Sequence, residues 1–122
     1  MKDNLIVSQK FPKALILKKS RDIYQVINHG KRYQSECFTA FYKDNEEVKF
    51  AFTTNSKIKT KPQRNRLKRK IKEAVRKTFR RYELKSSIVF IASSKADTEQ
   101  RKLEEEVEKL FSEIQANKGT AQ

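Results

Sequence analysis

The chain is short of almost every residue that protein-borne catalysis or covalent cross-linking would draw on. Among 122 residues there is one cysteine, Cys37, and one histidine, His29. A single thiol excludes an internal disulfide, and in the run SECFTAFY it reads as a buried strand residue. A single imidazole excludes a His pair acting as acid and base on a phosphodiester. The only glycines, Gly30 and Gly119, stand too far apart to build a Gly-rich phosphate loop. No apolar run nears the ~18 to 20 residues that a membrane-spanning helix needs. MKDNLIVSQKFPKALILKK carries Asp3 and lacks the apolar stretch of a signal peptide, so a cytoplasmic location is expected, without a membrane partner. Acid is scarce too: 15 Asp and Glu face 29 Lys and Arg, for a net charge of +14. The acidic clusters, DNEE at 44–47 and EEE at 104–106, suit a polar turn and a solvated helix face, and no metal site is expected in the protein.

What is present is a modest core under a charged surface. Apolar residues make up 36% of the chain, but eight Phe and four Tyr argue against disorder throughout, and the length suits one domain. Residues 1–19 read as a partly ordered basic arm, residues 20–116 as a single domain and residues 117–122 as a frayed end. Ser20 is placed to cap a short helix, RDIYQVINH, in which Ile23, Val26 and Ile27 share a face and which Gly30 stops. His29 sits where its charge would favour the helix C-terminus. From Tyr33 to Asn55 the period becomes two. YQSECFTAFYK, with Cys37, Thr39 and Phe41 on one face, and VKFAFTTN flank the turn DNEE and predict a hairpin, with room for a further strand near 31–33. SKIKTKPQ reads as a basic loop with Pro62 just ahead of a helix. SIVFIAS reads as a strand buried on both faces. Asp97 and Gln100 suggest a capping box for a last helix with the stripe Leu103, Val107, Leu110, Phe111 and Ile114. The expected class is α+β: a small mixed sheet of about four strands packed with three helices, in the order α-β-β-(β)-α-β-α, the central helix basic.

That central helix is QRNRLKRKIKEAVRKTFRRY, Gln63 to Tyr82. It holds ten Lys and Arg against Glu73, +9 of the total charge, yet Leu67, Ile71, Ala74, Val75, Thr78, Phe79 and Tyr82 recur at helical spacing. Like charges three or four apart, such as Lys68 with Lys72 or Arg76 with Arg80, cost a few tenths of a kcal/mol per pair, so a face kept only for solubility would mix its signs. The last helix does mix them. The basic helix is therefore read as a phosphate-binding surface, with arginine forks and the helix N-terminus near Arg64 to Leu67 as its closest contacts. Charge alone leaves RNA and DNA both open.

QRNRLKRKIKEA resembles the arginine-rich helix of the protein subunit of bacterial ribonuclease P. LKKSRDIYQVINHG resembles that family's opening helix, KFAFTTNSKIK its third strand and the following loop, and SIVFIAS its last strand; the likeness runs from about Lys13 to Ile114. It implies a fold in which the crossover between the last two strands is left-handed. It implies a subunit that assists a catalytic RNA in removing the 5′ leader of precursor tRNA, with Mg2+ held at the RNA active site and no catalytic residue in the protein. Arg64, Asn65, Arg66, Lys68, Arg69, Lys72 and Arg76 are then expected to contact RNA. Ile23, Ile27 and Phe41 are expected to line a cleft for the single-stranded leader. The family often has aromatics where Ile23 and Ile27 stand, and a glycine and small residues where this chain has Lys59, Thr60, Lys61 and Pro62. The alternative reading is a structural RNA-binding protein of ribosomal type; a helix for the DNA major groove ranks below both, and no DNA partner is expected.

Overall fold

The computed structural model describes residues 12–120, with side chains described as far as residue 116. Within them run α1 (Ser20–His29), β1 (Lys31–Gln34), β2 (Phe38–Asp44), β3 (Lys49–Thr54), α2 (Lys61–Thr78), β4 (Ser86–Ala92) and α3 (Gln100–Thr120). Single 3-10 turns occupy Lys13–Leu15, Phe79–Arg81 and Ser94–Ala96. The α+β class and the four-stranded mixed sheet are as the sequence implies. Residues 1–11, in the expected arm, and 121–122, in the expected frayed end, lie outside the described residues; α3 continues through 117–120.

The hairpin predicted from DNEE does not form. The strand order is β1-β2-β4-β3: β1 and β2 are antiparallel, β2 and β4 antiparallel, and β3 and β4 parallel. β4 enters between the two strands flanking the turn because its residues are almost all buried and need cover on both faces. β3 then requires a crossover, and α2 supplies it.

Two clusters follow from this order. On one face Phe38, Phe50, Ile88 and Phe90 pack with α2 and α3, whose Leu67, Ile71, Val75, Leu103, Val107 and Phe111 are buried. The Phe38 and Phe90 rings meet edge to face at 5.2 Å, and Phe50 and Phe79 at 5.5 Å. Cys37, expected on the Phe41 face, joins this main core instead; it precedes β2 and so escapes the alternation. On the other face α1 lies over Ala51 and Val89 through Val26, Ile23 and Ile27.

Helix ends differ from expectation. Ser20 is the first residue of α1, and Lys19 precedes it without a side-chain cap. Asp97 accepts from Arg66 and caps nothing, while the Gln100 amide donates to the Lys70 carbonyl at 2.9 Å, so the capping box is replaced by ties to α2. Pro62 sits in the first turn of α2, and the α-helix ends at Thr78 before a tighter turn.

Gly30 ends α1 with extended backbone, φ −88° and ψ 177°, donating to the Val26 carbonyl at 2.8 Å. A glycine is needed there by proximity: a Cβ would fall within 3.0 Å of the carbonyl oxygens of both Val26 and Tyr42. Gly30→Ala should cost about 1 to 3 kcal/mol, as overpacking against backbone does. Denaturant unfolding checks this as a lower midpoint at unchanged slope.

Candidate nucleic-acid interface

Leu67, Ile71, Ala74, Val75 and Thr78 are buried, which points the cations of α2 away from the sheet. The structure divides those cations into two groups. Toward the C-terminal end, Arg76 pairs with Glu73, the Lys77 amine lies 3.7 Å from Glu104, and Arg81 meets Glu108 at 2.7 Å. The Arg80 guanidinium lies over the Phe79 ring at 4.9 Å. Tyr82 donates to Glu108 as well, at 2.7 Å, and that bond holds its phenol above the ordinary tyrosine value.

The N-terminal part is arranged otherwise. Arg64 donates from one nitrogen to the carbonyls of Ile58 and Lys59, both at 3.0 Å, and so fastens the basic loop to the helix start. Arg66 reaches Asp97 at 2.9 Å in an exposed pair. Lys68, Arg69 and Lys70 have no ion-pair partner among the described residues, and the Lys72 amine lies 5.7 Å above the Phe52 ring. Asn65, Lys68, Arg69 and Lys72 form one wall of an open groove of about 460 Å³ whose floor is Ile16, Leu17, Ile23, Ala51 and Phe52. The expected RNA-binding residues thus separate. Asn65, Lys68, Arg69 and Lys72 share the groove, Arg64 and Arg66 lie beside it, and Arg76 is engaged with Glu73.

Ile23, Ile27 and Phe41 come together, packed around Val26, Ala51 and Val89. Ile91 and Leu17 belong to the same cluster and were not among the residues expected to line the cleft. Alternation in SIVFIAS could have shown that Val89 and Ile91 share a face, but only the strand order says that the face is this one. Beyond α1 the sheet presents a half-open row, Gln34, Thr39, Ile91 and Thr53, placed side by side by the strand registers. Thr39 and Arg32 both donate to the Gln34 amide oxygen at 3.0 Å. Ile23 belongs to both the groove and the apolar cluster, so the basic wall and the sheet surface meet there.

No group of three or more His, Cys, Asp or Glu among the described residues is placed to hold a metal ion. No helix among them is long and apolar enough to cross a membrane. The Arg76 hydrogen bond holds the Glu73 carboxyl below its ordinary value of 4.5. A lowered folded value means that the pair's stabilisation is present above that ordinary value and is lost as the pH falls through the lowered one. Glu73→Gln should therefore lower stability at neutral and alkaline pH and flatten the acid limb, the variant and the parent protein converging at low pH, as measured by urea midpoints.

The comparisons with known proteins agree with this geometry. Residues 11–115 match the family model described as Ribonuclease P. The ribonuclease P protein component of Mycoplasma capricolum subsp. capricolum is 36% identical over 59 residues, covering 47% of this chain and 54% of that protein. The chain thus spans about half of that relative. The component from Mycoplasma mycoides subsp. mycoides SC is 27% identical over 103 residues, 81% of this chain and 94% of that one. The solved ribonuclease P protein of Thermotoga maritima superposes with a TM-score of 0.71 at 23% identity, covering 80% of this chain and 96% of that one, a likeness of fold. With the family model spanning nearly all of the described residues, the chain belongs to the ribonuclease P protein family.

Proposed function

We propose that this protein assists a catalytic RNA in the endonucleolytic removal of the 5′ leader from precursor tRNA, binding both RNAs and performing no bond cleavage itself. The observation that carries this reading is the grouping of cations on α2. Carboxylates of α2 and α3 engage Arg76, Lys77 and Arg81, while Lys68, Arg69 and Lys72 face a groove that opens onto the α1 side of the sheet. Cations without protein partners release the most counterions when they meet phosphate, so the N-terminal two-thirds of α2 is assigned to the catalytic RNA. Asn65, Lys68, Arg69 and Lys72 form the centre of that contact, Arg64 and Arg66, already bonded to the Ile58 and Lys59 carbonyls and to Asp97, flank it, and Arg76 contributes least.

The row beside α1, with Phe41, Ile23 and Ile27 at its edge, is assigned to the single-stranded leader. Ile23 and Ile27 offer apolar contact without ring stacking, which leaves Phe41 as the one aromatic of the three, worth ~1 to 3 kcal/mol for a stacked base. Mg2+ ions bound by the RNA would supply the charge stabilisation that hydrolysis needs. The protein offsets repulsion between two polyanions and favours substrates that still carry a leader.

Cleavage of a 5′-extended precursor tRNA at low magnesium and moderate salt tests this. A bacterial ribonuclease P RNA together with the protein should remove the leader far faster than the RNA alone, and the protein alone should not cleave. Absence of any enhancement with several such RNAs would transfer the chain to a structural RNA-binding role of ribosomal type. In the same system Lys68→Ala/Arg69→Ala/Lys72→Ala should lower the slope of log affinity against log salt for the catalytic RNA by about 2 to 3, and Arg76→Ala by well under one. Equal slopes for the two variants would remove the assignment of the N-terminal part.

A further inference from the structure

α1 has a second flank, and it covers a different sort of surface. One row beyond Phe41, Val89 and Ala51, the registers place Lys43, Ser87 and Lys49 side by side across β2, β4 and β3 on the same face of the sheet. Neighbouring strands lie ~4.8 Å apart, so the two lysine stems straddle Ser87 at about that spacing. Arg21, Asp22 and Gln25 of α1 form the opposite wall of an open pocket of about 420 Å³, and Asp44 stands at its rim.

Ser87 is only 8% exposed, and its hydroxyl, which opens into this pocket, makes no hydrogen bond among the described residues. The hydroxyl is reachable from the open pocket, and with no protein partner it can donate to an oxygen of a ligand held there. Its neighbour Ser86 also lacks a partner, but it is fully enclosed on the face under α2 and α3 and offers nothing access. The walls around Ser87 indicate what the ligand is. Arg21 and Lys43 form no ion pair among the described residues, although Asp22 and Asp44 line the same pocket, and Lys49 donates to the Ala14 carbonyl at 2.6 Å. Three cations against two carboxylates leave a local charge of +1.

We infer that this pocket is a binding site for one phosphodiester of an RNA backbone, held by Lys43 and Lys49, oriented by the Ser87 hydroxyl and screened by Arg21. The single positive excess matches the single charge of a phosphodiester better than a dianionic terminal phosphate, and the open shape admits a continuous chain. The site lies across α1 from the row assigned to the leader. A strand held in that row and one held here would therefore bracket the helix. The inference rests on the RNA-binding function proposed above. The phosphodiester could come from the precursor or from the catalytic RNA, and the two are separable by experiment.

The test uses the full chain with two probes: a bacterial ribonuclease P RNA binding the free protein, and a leader-bearing precursor tRNA binding the assembled holoenzyme. Lys43→Gln should weaken one probe about threefold to tenfold and lower its salt slope by about one. Ser87→Ala should weaken the same probe by a similar factor with the slope unchanged, because it removes a hydrogen bond and no charge. Asp44→Asn should tighten it, a gain that loss of folding cannot produce. The probe that responds identifies which RNA supplies the phosphodiester. Silence of Ser87→Ala while the two charge variants respond would mean long-range electrostatics only and would overturn the site. Silence of all three, with Lys68→Ala/Arg69→Ala/Lys72→Ala still impairing binding, would overturn the site and leave the proposed function standing. Silence of that α2 variant too would overturn both.

Discussion

The docking of α2 onto the sheet is the constraint on which the rest of the structure depends. Lys68 with Lys72, Arg69 with Lys72 and Arg76 with Arg80 oppose helix formation by a few tenths of a kcal/mol each. Against this, Leu67, Ile71 and Val75 are almost wholly buried against Phe50, Phe90 and their neighbours, each contributing roughly 1.5 to 3 kcal/mol relative to exposure. Burial is the larger effect by several-fold, and it exerts itself only in the docked geometry. The basic helix therefore has one orientation, and its cations a fixed pattern in space.

Within that pattern α3 acts as a selective neutraliser. Single surface ion pairs contribute little stability, and Arg81 with Glu108 or Lys77 with Glu104 need not be exceptions. Their consequence is distributional. By engaging cations near the C-terminal end of α2 they leave the excess positive potential toward the N-terminal end, where backbone N–H groups add to it. Arg64 has a different part there. Its bonds to Ile58 and Lys59 fix the loop from which the helix starts, so the arginine that looks most like a phosphate ligand in sequence is also a brace.

The elements of the fold were legible because each obeys a single period. The stripe on α2, the alternation in β2 and the apolar run of β4 are local patterns, and local patterns report which residues are buried. They do not report which strands pair. DNEE reads equally well as a hairpin turn and as the bend between two strands that part, and only the insertion of β4 separates the cases. Much of the candidate surface was legible for the same reason, since charge and apolar spacing both lie within one helix. Ile91, Leu17 and Phe52 were not, because they join the surface through strand order and through the arm, where Leu17 donates to the Phe50 carbonyl at 2.7 Å. Asp97 misled for a complementary reason: its spacing to Gln100 suits a cap, but Arg66 lies within reach across the fold and takes its carboxylate.

The insertion of β4 connects the two surfaces. Because β4 runs between β2 and β3, its alternate residues Ser87, Val89 and Ile91 all face α1, and each occupies the centre of a different row. Val89 is the dry middle under the helix, Ile91 lies in the half-open row on one flank, and Ser87 opens on the other flank between two lysines. A β2–β3 hairpin would have paired those two strands directly and removed all three rows. The parallel pairing of β3 with β4 also demands a crossover, and α2 starts just beyond the C-terminal end of β3, which puts its basic N-terminal part beside the same edge of the sheet. One strand placed centrally thus brings together an apolar strip, a polar row and a basic wall that the chain carries far apart. That is the property a protein needs if it is to hold an extended polyanion along several of its phosphates at once.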